Sequence, residues 1–395
     1  MVDRRMLCPG VVLFLTVCLV TPGVWAGTLS SVDMKVGPFE LMPELTFREV
    51  YSDNIYREEV DKDDDFRSLV TFGTDAKLRR GHYGLTLGYR GIYRRSRDYS
   101  EFNRLDQVFD GEFKVRFKSG VTITLAQELK KWAIEPNYPG DDLHDYLHNV
   151  TTGRILFPVT EKTGVEVVYA YHRRDFSEPK DELDNFRKDQ YSVRFVYNYS
   201  VKTGFFVEYT AFFVDNAIAT TDNKKHDVFG GVQLNLTDKV VGIVRAGYTT
   251  IRFVDNEDPS DFGVRADLIF RAGPKTKIRV EVLRDLEETS LTGENAINGN
   301  YFLFTGGAVK LEQGLGRKFL LLVNGAISHS DFPKPFQDVL RKDDFYNAGA
   351  ELVYDIQPWL KLGGGYSWAD NNSTIFQNSY TGNMGYGYLS FLVKE

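Results

Sequence analysis

Through most of its length, the chain alternates apolar and polar residues in segments whose connectors are alternately short and long. In the segment 163–174, for example, Val165 and Val167 occupy one parity and Glu166 the other. Because successive side chains of a strand point to opposite faces, each segment has one apolar and one polar face. Tight turns at one end and longer loops at the other are typical of an outer-membrane β-barrel.

About eighteen such segments follow residue 40, and the short and long connectors alternate without a break. Short connectors such as Gly273-Pro274 carry turn residues, whereas the long connectors near 51–65, 135–144, 177–186 and 331–341 are rich in Asp, Asn, Glu and Pro. A barrel whose first strand leaves the periplasm and whose last strand returns to it has an even strand count. The sequence therefore predicts an all-β fold, a single closed antiparallel transmembrane barrel of about 16–18 strands, with short periplasmic turns and longer extracellular loops.

The N-terminus has the features of a secretory signal, namely a basic start, an apolar core at 11–20 and a small-residue cleavage site at Ala26. We expect a signal peptide at 1–26, a short periplasmic extension at 27–39 and an outer-membrane barrel at 40–395. Both cysteines, Cys8 and Cys18, lie within the signal. Zinc-thiolate sites and cysteine chemistry are therefore excluded from the mature chain.

The sequence offers little support for catalysis or metal binding. A formal charge of -7 is mild for 395 residues and does not suggest a nucleic-acid partner. His144 and His148 lie near several aspartates, and the acidic run 61–65 could attract calcium. Solvated loop residues are the commoner explanation of both clusters. There is no phosphate-binding glycine loop, zinc-helix motif or nucleophile elbow, so we expect no enzyme, no cofactor and no bound metal.

Function is expected on the polar parity, because charged side chains facing hydrocarbon are costly and should line the lumen instead. The candidate pore-lining residues are Arg90, Arg94, Glu112, Lys114, Arg116, Glu128, Lys130, Glu166, Arg174, Arg194, Arg265, Asp267, Arg279 and Glu281. They can form a hydrated path in which the arginines favour anionic groups. Alternatively, they form ion pairs that only stabilise the wall. About eighteen strands leave an aqueous channel, which favours transport.

Aromatic residues make up 14% of the chain, and many lie towards the proposed strand ends. They are Tyr93, Tyr99, Tyr169, Tyr171, Tyr199, Phe212, Phe213, Tyr248, Trp359, Tyr366 and Trp368. The expected role is the girdle that barrels carry at both membrane surfaces. A sugar-stacking track would need aromatics on the polar parity, such as Trp132. The last segment alternates aromatic and glycine residues, which is similar to the C-terminal signal recognised by barrel-assembly machinery.

Near the mature N-terminus, Val36-Gly-Pro-Phe39, Pro43 and Tyr51-Ser-Asp-Asn-Ile-Tyr56 resemble the opening of the putative β-barrel porin 2 family. The resemblance implies a bacterial outer-membrane barrel, often linked to exopolysaccharide export and similar in architecture to the eighteen-stranded alginate exporter. It therefore implies passage of an extracellular polysaccharide.

From the resemblance and the residues together, we expect an outer-membrane channel for polysaccharide export. The alternatives are a passive porin for small polar solutes, a structural or adhesive barrel, or an outer-membrane hydrolase. Expected partners are outer-membrane lipid and lipopolysaccharide, the barrel-assembly machinery, a polysaccharide and periplasmic export components.

Overall fold

The structure is a computed structural model that describes residues 34–136, 143–217, 222–237, 239–254, 258–288, 301–336 and 339–392. The expected signal peptide, residues 1–26, lies outside the described residues. Nineteen strands account for most of the rest. They are β1 (Met34–Val36), β2 (Phe39–Ser52), β3 (Asp65–Arg80), β4 (Tyr83–Ser96), β5 (Arg104–Arg116), β6 (Thr122–Ile134), β7 (His144–Pro158), β8 (Thr163–Phe176), β9 (Phe186–Asn198), β10 (Thr203–Asn216), β11 (Asn223–Thr237), β12 (Val240–Phe253), β13 (Ser260–Gly273), β14 (Thr276–Glu288), β15 (Tyr301–Leu315), β16 (Phe319–Phe336), β17 (Val339–Gln357), β18 (Leu360–Ser373) and β19 (Tyr380–Leu392).

Eighteen strands, β2 to β19, form one closed antiparallel barrel. Each strand pairs with the next along the chain, and β19 pairs with β2, where Leu389 lies opposite Phe47. Closure leaves no long unpaired strand edge in the membrane. The structure thus confirms the predicted fold, at the upper end of the predicted strand count.

The short strand β1 lies within the stretch expected to be an N-terminal extension. Met34 pairs with Leu41 of β2, while the last pairing of β19 is Leu392 with Glu44. The strand β3 occupies the other edge of β2 at Leu41. The strand β1 therefore pairs with β2 at the periplasmic end, beyond the last described pairing of β19.

The alternation in the sequence sets which side chains face lipid. In β2, Phe47 and Tyr51 are 46% and 37% exposed, whereas Val50 between them is 8% exposed. The apolar parity of β8 and β9, including Val167, Val193 and Phe195, is likewise exposed on the outside. Phe212 is an exception to the expected girdle. It shares the inner parity of β10, where the ammonium of Lys188 lies 4.7 Å from its ring centroid.

One of the predicted long connectors is much shorter than expected, because the strands on both sides of it are longer. The prediction of a connector at 331–341 is wrong, because β16 continues to Phe336 and β17 begins at Val339. The pairing shifts between Asp331 and Pro335, so a bulge accommodates the prolines that suggested a loop. In the described ranges, short 3-10 helices interrupt three other connectors, at Ser100–Phe102, Pro179–Asp184 and Phe376–Asn378. Among the residues described, no helix is long and apolar enough to cross a membrane.

Candidate functional site

The strand register places all fourteen sequence-predicted residues on the inner parity of the barrel. The pairing follows this face from strand to strand, from Arg90 opposite Val108 to Val108 opposite Lys130 and on to Arg174. Further along, Glu166 lies opposite Arg194, and Asp267 lies opposite Glu281. Their part in a solute path stays a prediction, but their geometry can be described.

On the wall formed by β7 to β12, acids and bases alternate in a connected row. Arg194 contacts both Glu166, at 3.5 Å, and Glu208. Arg245 holds the second oxygen of Glu208 at 2.6 Å. Arg154 also reaches Glu166, at 3.3 Å. Glu166 and Glu208 therefore each contact two guanidinium groups, a geometry that fixes the side chains in place.

The row continues on β11 to β14 as a buried polar cluster. Arg265 binds Asp285, whose carboxylate is fully buried. The hydroxyl of Thr249 lies 2.9 Å from Asp227 and 3.0 Å from Asp285. Lys225 donates a hydrogen bond to the carbonyl of Leu286 at 2.7 Å. Because buried charges need partners, the contacts of this cluster stabilise the barrel wall in addition to lining the lumen.

Two phenylalanines support the arginines of this wall. The ring of Phe229, which is 2% exposed, lies against the backbone at Gly263, where an added Cβ would be 2.7 Å from the ring. The guanidinium groups of Arg245 and Arg265 lie 5.3 and 5.6 Å from its centroid. Phe206 supports Arg194 in the same way, at 5.0 Å. Cation–π contact therefore holds these guanidinium groups above the ring faces.

Further ion pairs lie on the inner face of β2 to β6 and of β13 and β14. Arg90 Nε lies 2.5 Å from Glu44, and Arg94 Nε lies 2.6 Å from Asp106. Lys130 pairs with its neighbour Glu128 at 2.8 Å. On β13 and β14, Arg279 bridges Asp267, at 2.6 Å, and Glu281, at 2.8 Å.

Three of the predicted residues, all on β5, take part in no such ion pair in the described ranges. Within the described part of the chain, Glu112, Lys114 and Arg116 near the periplasmic end of β5 form no salt bridge. Arg174 contacts aromatic rings, with Phe186 closest at 4.6 Å. The predicted set is therefore spread along the barrel instead of converging on one point.

At the extracellular end, connectors fold over the inner wall of β3 to β6. Tyr56 and Phe102 are each 1% exposed and pack together with Ile55. The hydroxyl of Tyr56 donates a 2.5 Å hydrogen bond to Glu101. The guanidinium of Arg67, on the inner face of β3, lies 5.2 Å from the Phe102 ring. This mouth cluster, made of Ile55, Tyr56 and Phe102, therefore narrows the entrance on one side.

Glu135 joins this region to the barrel wall, with Arg104 at 2.9 Å and Arg67 at 3.4 Å. Burial alone would raise the pKa of its carboxyl, but surrounding arginines hold that pKa well below its usual range. The arginines are Arg67, Arg104, Arg94 and Arg57. Glu135 is therefore ionised throughout the physiological range.

Sequence reasoning missed one inner-wall cluster, at the seam where the barrel closes. Tyr386 and Tyr388 of β19 both donate hydrogen bonds to Glu351 of β17, at 2.7 and 2.6 Å. Arg48 of β2 covers both rings, 4.4 and 5.2 Å from their centroids. The run Gly385-Tyr386-Gly387-Tyr388 was the available signal, because a Gly-Tyr alternation puts the aromatic residues on one face.

His144 and His148 contact different partners in the described residues. His144 Nδ1 lies 2.8 Å from Asp181, whereas His148 stacks on His172 at 6.1 Å. The nearby Asp141 and Asp142 lie outside the described residues. No group of three or more metal-binding side chains occurs within the ranges that the structure describes.

Comparison with known proteins supports a porin-like barrel. The family described as Putative beta-barrel porin 2 matches residues 159–390, more than half of the chain. No curated protein sequence matches the chain significantly.

Similar solved structures share the fold at low sequence identity. OpdO of Pseudomonas aeruginosa is 10% identical, with a TM-score of 0.52, and the match covers 90% of this chain and 97% of OpdO. OpdQ of the same organism is 11% identical, with a TM-score of 0.50, 91% of this chain and 100% of OpdQ being covered. The FrpB iron transporter from Neisseria meningitidis is 8% identical, with a TM-score of 0.47. That match covers 84% of this chain but only 62% of FrpB.

Proposed function

Because the chain belongs to the Putative beta-barrel porin 2 family of outer-membrane barrels, we propose that it is a passive channel for small polar solutes, without catalysis of its own. One observation carries the proposal. The inner wall of this eighteen-stranded barrel carries charged side chains on strands β2 to β14, and many of them form ion pairs. Barrels of this size enclose an aqueous channel.

Export of a polysaccharide, which the sequence resemblance suggested, finds no support in the family match or the fold. A sugar-binding track needs free aromatic faces in the lumen. Here Arg94 lies 5.5 Å from the Trp132 ring, and Arg48 covers Tyr386 and Tyr388. Because guanidinium groups occupy these ring faces, the wall favours small hydrated solutes over a stacked sugar chain.

We further propose that the fourteen predicted residues line the solute path and that the channel prefers anions. Most of the lumen arginines are neutralised by acids, which weakens the field of each. Arg48 differs, because it forms no ion pair with any residue in the described ranges. Its guanidinium rests on two tyrosine rings and presents an uncompensated positive charge to the lumen.

The experiment is reconstitution of the purified barrel into planar bilayers and liposomes. Steady ion conductance and entry of small sugars, with exclusion that rises with sugar size, would support a passive porin. Retention of surface polysaccharide in a deletion strain would agree with it. A barrel that conducts no ions, or a deletion that abolishes surface polysaccharide, would overturn the proposal.

A further inference from the structure

Two cations lie directly opposite each other on the lipid-facing side of the barrel. Lys224 of β11 pairs in register with Arg252 of β12, and both side chains are exposed. Their parity is that of Val228 and Tyr248, which are 50% and 53% exposed and also paired in register. The inner parity of the same strands holds the buried Phe229. Both charges therefore point away from the lumen.

The pair lies at the upper boundary of the apolar band. Lys224 is the second residue of β11 and Arg252 the last but one of β12, so both are at the extracellular end. The outward Leu234 of β11 lies ten residues below Lys224. Ten residues of a strand tilted by about 40° rise about 25 Å, which is the height of the apolar band. Tyr248 just below fits the aromatic belt of that interface.

Like charges directly opposite each other destabilise a sheet unless an anion lies between them. In the described part of the chain, neither Lys224 nor Arg252 forms an ion pair with a carboxylate. Two other outward cations differ in this respect. Arg173 pairs with Asp175 at 2.7 Å, and Lys342 pairs with Asp331 at 3.1 Å.

Groups that fit a phosphorylated lipid surround the pair. His226 lies two residues below Lys224 on the same face, and its Nδ1 is 2.8 Å from the hydroxyl of Tyr209. Further down, Gly230 lies opposite Ala246, and an added Cβ at Gly230 would meet nothing within 4 Å. Below Val228 and Tyr248, a shallow apolar surface of small residues therefore opens towards the bilayer centre.

We propose that Lys224 and Arg252, with His226 beside them, bind the phosphorylated headgroup of an outer-leaflet lipid of the lipopolysaccharide type. The phosphate lies between the two cations, and the acyl chains lie along Gly230 and Ala246. Arginine and lysine are the residues that recognise phosphate, and basic clusters at a membrane surface attract anionic headgroups. The site faces lipid and is independent of the solute path.

The test compares the double variant K224Q/R252Q with the control R95Q/K131Q. Arg95 and Lys131 are also exposed on the outer parity, so the control removes the same charge without touching the opposed pair. We expect the barrel carrying K224Q/R252Q to retain at least severalfold less lipopolysaccharide phosphate after purification with EDTA, while the control matches the wild type. The charge-preserving variant K224R/R252K should retain lipid like the wild type, and heat-modifiable migration checks folding.

A second readout separates lipid from free phosphate. Lipid A added to the detergent-purified wild type should raise the unfolding temperature, and dephosphorylated lipid A or inorganic phosphate alone should not. The double variant should lose this shift. Equal lipid retention in K224Q/R252Q and the control would overturn the proposal. An equal shift with inorganic phosphate, or with dephosphorylated lipid A, would overturn it as well.

Discussion

Tyr388 crosses over Gly363 of the intervening strand to donate a 2.6 Å hydrogen bond to Glu351, two strands away. The bond joins β19 to β17 beside the seam between β19 and β2. It requires glycine at position 363, because an added Cβ there would overlap the tyrosine ring. This hydrogen bond therefore links β17 and β19 on the lumen side of the barrel.

Replacing Gly363 with valine should destabilise the seam, although valine favours strands. The side chain would displace the Tyr388 ring and its hydrogen bond, at a cost of about 1–3 kcal/mol. The temperature at which the folded band disappears in heat-modifiability gels should fall. Gly385→Val is the matched control, because Gly385 faces lipid on β19 with nothing within 4 Å of an added Cβ. Equal stability of the two variants would contradict the prediction.

Reversing the charge at Arg48 should shift ion selectivity towards cations. Arg48 has no carboxylate partner in the described ranges, so Arg48→Glu changes the lumen field directly and should lower the anion-to-cation permeability ratio severalfold. Reversal potentials in a salt gradient measure the ratio. Arg187→Glu applies the same charge change on the exposed outer parity of β9 and should leave selectivity unchanged. A similar shift in both variants would show that the effect does not arise in the lumen.

Truncating Phe229 should weaken the wall of β11 to β13. The ring is 2% exposed and supports Arg245 and Arg265, so Phe229→Ala should cost about 3–5 kcal/mol. Urea unfolding from detergent micelles, followed by tryptophan fluorescence, measures the loss. Phe205→Ala removes a lipid-facing ring that is 45% exposed and should cost less. The reverse order of the two variants would count against the supporting role of the ring.

The single-channel conductance should stay constant as the pH is lowered from 7 to about 5. Surrounding arginines hold the pKa of Glu135 below its unfolded value, which is about 4.3. The stabilisation by its carboxylate is therefore present above about pH 4.3 and is lost only as the pH falls through the lower folded pKa. Glu135→Gln should alter single-channel conductance by the same amount at pH 5 and pH 7. A difference that vanishes by pH 5 would mean that burial outweighs the arginines and raises the pKa of Glu135 above its usual value.

The sequence predicted the barrel, the number of strands and the faces of most side chains because alternation is a local property. Arg90 and Arg194 could be placed inside from their neighbours alone. Their partners Glu44 and Glu208 could not be named, because partner choice depends on register between strands. The prediction of a connector at 331–341 was wrong for a related reason. Whether a proline ends a strand or lies in a bulge depends on its partner strand.

The residues at the seam between β19 and β2 show a second limit of prediction from the sequence. Tyr386 and Tyr388 have the composition of a membrane girdle, and only the glycine between them shows which face carries the rings. Sequence reasoning assigned this segment to recognition by assembly machinery, and that role stays a prediction. The structure adds that the same residues bind Glu351 inside the barrel.

The phenylalanine layer beneath Arg194, Arg245 and Arg265 has a consequence for the shape of the passage. An aromatic ring adds about 3.5 Å to the thickness of the wall on which it lies. The guanidinium groups of β9 to β13 are therefore carried towards the axis by the rings on which they lie. A solute that passes this side of the barrel meets charged groups that stand one ring thickness away from the strand backbone.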